Sequence, residues 1–272
     1  MSATIGSVSP TQAEKATVFR ALHEGDPFLI PNAWDAGSAK VLAALGFKAL
    51  ATTSSGFAFT LGRRDGEVTL HEVVQHTRSL ARATELPISV DLENGYGPRP
   101  EDAALAVGRA AGAGAVGGSI EDYGAQDGIY PLEQAAERVA AAAEAARGLE
   151  FPFTLTGRAE NLIRGNPDLD DTIKRLLAYE KGGADVLFAP GLRGVDQIMA
   201  VCEAISKPVN VLAYPGITMA EIVEGGAQRV SVGGRLAFAA AGAMAAAAEK
   251  MRDEGDFSLL GTPDVVQKLL GG

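Results

Sequence analysis

The chain has 272 residues, of which 47% are hydrophobic, a formal net charge of −10 and one cysteine, Cys202. Its length and apolar content suffice for one large domain or two small ones. The acidic balance argues against a nucleic-acid partner, and a single cysteine excludes an intrachain disulfide, which favours a reducing, cytoplasmic location.

Short apolar runs alternate with helical runs along the whole chain. The predicted strands lie, in chain order, within 27–33, 48–56, 87–94, 115–123, 153–161, 185–190, 208–216 and 229–234. The helical runs that follow them are 37–46, 69–85, 100–114, 131–148, 168–183, 194–206, 218–226 and an Ala-rich segment from 236. Eight strand–helix pairs over about 240 residues predict an α/β protein with a single (β/α)8 TIM barrel.

A doubly wound open sheet is the structural alternative, since it alternates in the same way. It is less favoured because no G-x-G-x-x-G motif follows the first predicted strand. We therefore expect one barrel domain over residues 1–272, with a C-terminal helical arm at about 236–272. The first residues lack the apolar core of a signal peptide, and charges close the Ala-rich segment, so no membrane span is expected.

Charged residues collect where the predicted strands end, which is where barrel enzymes carry their chemistry. The third strand ends in Asp91 and Glu93, the fourth in Glu121 and the fifth in Arg158. Any one of them alone is equally well explained as a solvated turn. Together, carboxylates at one rim raise each other's pKa unless a cation lies among them. Oxygen ligands without His or Cys favour Mg²⁺, with Mn²⁺ as the alternative, over Zn²⁺.

The histidines and the cysteine are not expected to take part in this site. His23, His71 and His76 lie in predicted helices or their approaches, and we expect them at the surface. Cys202 belongs to the apolar helical run 194–206, where core packing is the simplest role for its thiol.

Four motifs on successive predicted strands support a family resemblance: "TTSSGFAFTLGRRDGE", "SVDLENGYG", "SIEDY" and "TGRAEN". Their order and spacing resemble the isocitrate lyase/phosphoenolpyruvate mutase superfamily, from Pro31 to Gly234. The resemblance implies a (β/α)8 barrel whose eighth helix is often swapped with a neighbour, giving homodimers or homotetramers. It also implies Mg²⁺ and a small 2-oxo or 2-hydroxy acid, with chemistry through a pyruvate-like enolate or at a phosphorus group.

The resemblance also assigns roles to individual residues. Asp91, Glu93 and Glu121 match metal-site acids, and Glu93 stands where the family commonly carries Asp. Asp65 matches the acid that faces metal-bound water and substrate. The implied catalytic residues are Asp65, Glu121 and Arg158, and the implied substrate-binding residues are Trp34, Ser55, Gly56, Phe57, Arg158 and Asn210.

The loop after the fourth strand departs from the lyase members of this superfamily. Those members carry a Lys-x-Cys-Gly-His motif whose cysteine is the acid or base, whereas residues 121–134 read "EDYGAQDGIYPLEQ". Isocitrate or methylisocitrate cleavage is therefore not expected. Tyr123 and Tyr130 are candidate proton donors by position, and Gln126 or Asp127 could reach inward if the loop closes.

Three functions remain open at this stage. The first is a Mg²⁺-dependent carbon–carbon lyase or decarboxylase acting on a small 2-oxo diacid such as oxaloacetate, which needs an electron sink and an anion clamp. The second is a phosphonomutase or phosphonopyruvate hydrolase, which needs further cations such as Arg63, Arg64 or Arg164. The third is a ligand-binding family member without catalytic activity, since one fold hosts many functions.

Overall fold

The computed structural model describes residues 9–270 and has a parallel sheet that closes on itself at its centre. Its strands are β1 (Phe28–Ile30), β2 (Asn32–Ala33), β3 (Leu50–Thr52), β4 (Ile88–Asp91), β5 (Gly117–Glu121), β8 (Thr154–Arg158), β9 (Val186–Phe188), β10 (Val209–Leu212) and β11 (Arg229–Ser231), and the hairpin strands β6 (Tyr123–Gly124) and β7 (Gly128–Ile129) follow β5. β1 pairs with β11 and β2 pairs with β3, and only Pro31 separates β1 from β2. The first barrel strand is thus one strand interrupted by a proline, which has no N–H to donate.

Helices surround the barrel, and eight of them follow the strands as predicted. The helices of the described residues are α1 (Gln12–Leu22), α2 (Ala36–Ala44), α3 (Ser54–Thr60), α4 (Leu70–Ala83), α5 (Pro100–Ala111), α6 (Leu132–Arg147), α7 (Leu169–Gly182), α8 (Gly194–Ala204), α9 (Met219–Glu224), α10 (Arg235–Glu254) and α11 (Pro263–Leu270), with a 3-10 turn at Asn161–Ile163. The eight that were predicted are α2 and α4 to α10. The predicted (β/α)8 barrel is confirmed. Across residues 9–270, no helix combines the length and the apolar character needed to cross a membrane.

Local sequence sets where several helices begin. Three helices begin with a capping box, at Thr11, Thr69 and Thr218. In each, the threonine hydroxyl accepts the backbone N–H of the glutamate three residues later, and the threonine N–H donates to that glutamate's carboxylate. Asp35, one of the polar residues at the end of the first strand, caps α2 through Ser38 N–H at 2.6 Å. Its role is therefore local, as the turn interpretation of a strand-end acid predicts.

Helix α1 closes the amino-terminal end of the barrel. Phe19 is fully buried there, and a Cβ on Gly117 would lie 2.7 Å from the Phe19 ring. Glycine at this position lets the plug approach the strand closely. The plug matters for function because it supplies the floor beneath the barrel interior.

The prediction that all three histidines lie at the surface is wrong for His23 and His76, and only His71 is exposed. His23 follows α1 and packs edge-on between Phe19 and Phe28 under the barrel. His76 lies on the inner face of α4, where its ring stacks on Phe57 at 3.8 Å. A histidine can be buried when its ring nitrogens find partners, and both rings bond a backbone carbonyl at 2.9 Å.

The C-terminal arm forms α10 and α11. Within α10, Ala237 is buried, whereas Phe238 and Met244 are 50% and 65% exposed. Large apolar side chains on one helix are typical of a surface that packs against something else. Helix swapping and oligomer formation remain predictions.

Candidate active site

Two connected cavities open at the carboxyl ends of the strands. The inner cavity, about 170 Å³, descends into the barrel and is lined by residues of all nine barrel strands. The outer cavity, about 450 Å³, lies between the turn after β4 and the β6–β7 hairpin. Ser54, Asp65 and Arg158 line both, so they mark the boundary between the two.

Arg158 lies at that boundary and is held by three carboxylates from three strand ends. Its Nε donates to Glu160 Oε1 at 2.6 Å, and its Nη1 lies 3.1 Å from Glu121 Oε2 and 3.5 Å from Asp91 Oδ1. β5 and β8 are in register with Glu121 opposite Arg158, which explains why this pair meets. Within residues 9–270, Arg158 Nη2 makes no hydrogen bond, so two guanidinium N–H groups are left for a ligand.

Asp91 is fixed by backbone groups. Its N–H donates to Thr52 Oγ1 on the neighbouring strand at 2.9 Å, which anchors the strand end. Its Oδ2 accepts the Ser54 N–H at 3.1 Å, and its Oδ1 accepts the Glu93 N–H at 3.3 Å. A carboxylate held in this way presents its remaining lone pairs to the inner cavity, which Asp91 lines.

The turn that carries Glu93 is conformationally strained. Glu93 and Tyr96 adopt φ values of 47° and 65°, in the left-handed region that non-glycine residues rarely occupy. Tyr96 OH donates to Glu93 Oε1 at 3.3 Å. From this turn Glu93 faces the outer cavity, whereas Asp91 faces the inner one. The two acids of "SVDLENGYG" therefore serve different compartments.

A fully buried arginine supports this turn from behind. Arg138 donates through Nη1 to Gly97 O and through Nη2 to Asn94 O, and its guanidinium lies 4.6 Å from the centroid of the Tyr130 ring. Buried carbonyls need such donors, since an unpaired one costs about 1–3 kcal/mol. Arg138 therefore stabilises the strained conformation by satisfying the turn's carbonyl groups.

The carboxylates at the rim outnumber the cations. Asp65, Asp91, Glu93, Glu121 and Glu160 stand against Arg158 and Arg164, five acids to two arginines. Burial, and then the charges of Asp91 and Asp65, raise the pKa of Glu93 to about 8. Asp65 is exposed overall, but its carboxyl end turns into the cavities, where burial and then Asp91 raise its pKa.

The same field acts on the buried pair Glu121 and Arg158. Burial raises the pKa of Glu121 well above its ordinary value, although Arg158 opposes the shift. Burial lowers the pKa of Arg158, but Glu121, Glu160 and Asp91 raise it by more. The site is thus short of positive charge.

A divalent cation fits this donor set. Asp91, Glu93 and Glu121 are all oxygen donors at an acid-rich rim, which suits a hard ion. The described residues contain no group of three or more His, Cys, Asp or Glu side chains in a ligating arrangement. Mg²⁺ does not need one, because it keeps several waters and uses one or two protein carboxylates.

The other predicted substrate-binding residues divide into two groups. Ser55 and Asn210 line the inner cavity, and Asn210 donates to Ser231 Oγ at 2.9 Å. Trp34 and Phe57 are not among the lining residues of either cavity. Phe57 N–H and Gly56 N–H bond Thr53 O and Thr53 Oγ1, at 3.0 and 3.3 Å, as part of the start of α3.

Gly56 has a packing role in this structure. A Cβ there would lie 2.6 Å from Thr53 Cγ2 and 3.1 Å from Trp34 Cβ. The segment predicted as a strand end, 48–56, turns into α3 at Ser54, a helix that the prediction missed.

The β6–β7 hairpin forms one wall of the outer cavity. Tyr123 lines the cavity, and the Arg164 guanidinium lies 3.9 Å from its ring centroid. Gln126 and Asp127 line the same cavity from the exposed tip of the hairpin. Tyr130 is buried behind it and bonds Asn94 Nδ2 at 3.0 Å. Of the two candidate proton donors, only Tyr123 contributes to the cavity wall.

Comparison with known proteins settles the family. A family model described as phosphoenolpyruvate phosphomutase matches residues 19–252. The chain belongs to this family.

Several members of the phosphoenolpyruvate phosphomutase family resemble this chain over most of its length. A crystal structure from Burkholderia cenocepacia J2315, assigned as a lyase/mutase, is 48% identical with a TM-score of 0.90 and covers 93% of this chain and 95% of its own. An oxaloacetate decarboxylase from Rhodopseudomonas palustris HaA2 is 31% identical over 80% of this chain and 77% of its own length. An uncharacterized protein of Mycobacterium tuberculosis H37Rv is 35% identical, over 78% and 79%. The family is enzymatic, and its reaction types differ between members.

Sequence reasoning missed one charged residue of the phosphomutase-family site. Arg229, at the start of β11, is buried and lines the inner cavity. The two-residue period of a strand was the available signal, because it puts Arg229 on the same face as Ser231 at the strand end. Site residues were predicted from the carboxyl ends of the strands, so a basic residue at the beginning of β11 was not considered.

Proposed function

We propose that this protein is a Mg²⁺-dependent carbon–carbon lyase or decarboxylase acting on a small 2-oxo diacid such as oxaloacetate. The observation that carries the proposal is the free Nη2 edge of Arg158 at the junction of the two cavities, beside Asp91. A planar guanidinium edge is suited to a carboxylate, and the acids around it supply a metal site.

The residues of the chain divide the work in the proposed reaction. Arg158 orients the substrate carboxylate, and Ser55 contributes polar contacts from the wall of the inner cavity. Asp91, Glu93 and Glu121 are the residues that would hold the metal, and Asp65 lines both cavities beside them. When bound, Mg²⁺ supplies a Lewis acid for the electron pair of the breaking bond. Asn210 fixes the far end of the ligand.

Decarboxylation does not require the cysteine acid or base that lyase members carry in the loop after β5. The carbon–carbon bond breaks to release CO₂, and the remaining pyruvate-like enolate takes a proton at carbon. Tyr123 is the candidate donor because its side chain lines the outer cavity. No cysteine is required, which agrees with the sequence of the hairpin.

The phosphorus–carbon alternative requires further cations, but of the three candidates Arg64 lines neither cavity and the other two are engaged in ion pairs. Arg63 pairs with Glu72 at 2.8 Å, away from both cavities, and Arg164 pairs with Glu160 at 2.9 Å. A phosphonate carries more charge than a carboxylate and would need a second free guanidinium at the rim. This observation favours the carboxylate substrate.

The test is pyruvate release from oxaloacetate by the purified protein with Mg²⁺, followed by coupled NADH oxidation. The rate with Mg²⁺ alone is subtracted, since the metal decarboxylates oxaloacetate by itself. Asp91→Ala should lower kcat/KM by at least about a hundredfold, as expected when a catalytic metal loses its main ligand. Asp26→Asn, at an exposed acid outside both cavities, is the matched control and should retain activity.

Two other outcomes would redirect the assignment. Conversion of phosphonopyruvate, seen by phosphorus NMR without pyruvate release from oxaloacetate, would favour the phosphorus–carbon enzyme. Oxalate binding by calorimetry with no turnover of oxaloacetate or phosphonopyruvate would favour a binding protein. An Asp91→Ala variant that kept full metal and oxalate binding would refute the metal assignment.

A further inference from the structure

The barrel interior beneath the rim is built from small polar side chains. Ser89 on β4, Ser119 on β5, Thr156 on β8 and Ser231 on β11 take positions that bulky branched residues fill in most barrels. Ser89, Ser119 and Ser231 line the inner cavity. This interior is therefore shaped to take part of a polar ligand.

Arg229 forms the floor of this cavity, between the α1 plug below and the ligand space above. Its Nε donates to Asn210 Oδ1 at 2.8 Å and its Nη2 to Thr156 Oγ1 at 2.9 Å. Its Nη1 lies 3.2 Å from His23 Nε2, and His23 Nδ1 lies 2.9 Å from Phe19 O. His23 is thus the Nδ1–H tautomer, with a lone pair toward Arg229.

All three partners of Arg229 are neutral, which is unusual for a buried charge. Among the described residues, Arg229 forms no ion pair with a carboxylate, and its side chain is 95% shielded from solvent. A buried cation is costly unless it is paired. Burial lowers its pKa to about 9, so the charge remains at neutral pH. Three of its five N–H groups are used, which leaves two.

The floor and the rim of the inner cavity lie at different depths along β8. Thr156, which accepts from Arg229, lies two residues before Arg158 on β8. Two strand residues span about 6.6 Å. The inner cavity therefore has a guanidinium at each end, and the one at the floor has no anionic partner.

We infer that Arg229 is a specificity-determining residue that binds the second carboxylate of a short dicarboxylic acid whose first carboxylate lies at Arg158. The inference rests on the proposed function for the substrate class. The second carboxylate of the ligand is the anionic partner that Arg229 lacks among the described residues. The inner cavity is therefore selective for diacids over monoacids of equal length.

The experiment is calorimetric binding of succinate and butyrate, a diacid and a monoacid with four carbons each, to the full-length protein with and without Mg²⁺. The wild-type protein should bind succinate at least about tenfold more tightly than butyrate. Arg229→Gln should reduce that ratio to about twofold or less, while Arg229→Lys should keep most of it because the charge remains. Arg193→Gln, at an exposed arginine outside the cavities, controls for net charge and should keep the wild-type ratio.

Each result decides the inference. An equal fall in both affinities in Arg229→Gln would assign Arg229 a structural role and refute it. A wild-type protein with no preference for succinate would refute it as well, and that measurement does not depend on any variant folding. Diacid preference without pyruvate release would support the role of Arg229 and refute the proposed lyase or decarboxylase function. Pyruvate release without diacid preference would support that function and refute the role of Arg229.

Discussion

The burial of His23 makes the stability of the fold depend on pH in a defined window. Burial, and then the neighbouring Arg229 charge, lower the pKa of His23 from 6.5 to about 3 in the folded protein. The unfolded chain takes up a proton below pH 6.5, but the folded protein does not until about pH 3. The unfolded state therefore binds more protons between these values, and stability falls as pH falls through that range.

The size of the effect follows from the two pKa values. At pH 5, about 1.5 units below the ordinary value, this histidine should destabilise the fold by about 2 kcal/mol relative to neutral pH, at about 1.4 kcal/mol per unit. The figure requires only that the folded pKa lie well below 5. The structural reason is that a proton on Nε2 would face the Arg229 guanidinium at 3.2 Å.

The measurement is the free energy of unfolding in urea at pH 7.5, 6 and 5, at one protein concentration, for wild type and His23→Gln. Glutamine cannot titrate, so the difference between the two proteins should shift by about 2 kcal/mol in favour of the variant as pH falls from 7.5 to 5. His71→Gln, at the exposed histidine, is the matched control and should run parallel to wild type. A His23→Gln difference that stayed constant over this range would refute the buried neutral histidine.

Four further outcomes are expected. Asp122→Asn should lower the free energy of unfolding by about 3 kcal/mol, because Asp122 is the buried partner of Arg175, and urea denaturation measures it. Arg138→Met should destabilise by about 2 kcal/mol and increase amide exchange over 94–99, since it leaves the turn's carbonyls unpaired. Cys202 should resist alkylation at pH 7.5, because burial raises its thiol pKa to about 11, and fast labelling seen by mass spectrometry would contradict this. We propose that a second copy covers α10, so Phe238→Asp should lower the oligomer mass in light scattering.

The sequence was sufficient to predict the barrel and the proximity of the charged residues at its rim. Each strand–helix pair carried its own periodicity, and the carboxyl ends of neighbouring parallel strands have to lie side by side. The sequence alone therefore predicts that Asp91, Glu121 and Arg158 lie together, and the distances from Arg158 Nη1 to Glu121 and Asp91, 3.1 and 3.5 Å, confirm it. Which of them holds a metal stays a prediction.

Other features depended on packing that periodicity does not encode. Phe57 belongs to one of the four motifs and the resemblance also implied Trp34, yet neither lines either cavity. Phe57 stacks on His76 instead. His23 is separated from its partner Arg229 by 206 residues, and only closure of the barrel on the α1 plug brings the two together. A polar residue in a helix is ordinarily assigned to solvent, and that rule fails when a distant element offers it a partner.

The charges on the two sides of Arg158 give the site a direction. Glu93 and Glu121 line the outer cavity, whereas Arg229 lies at the floor of the inner one without a carboxylate partner. A cation is therefore favoured at the acid-rich rim and on its outer side, and an anion toward the floor, since charges of one sign that line a cleft focus its field. Glu93, in the strained turn, extends the acidic side by one methylene beyond what Asp would reach. A diacid that enters with one carboxylate leading would thus be oriented by the field before it contacts Arg158, and its 2-oxo end would remain beside the acids that suit Mg²⁺.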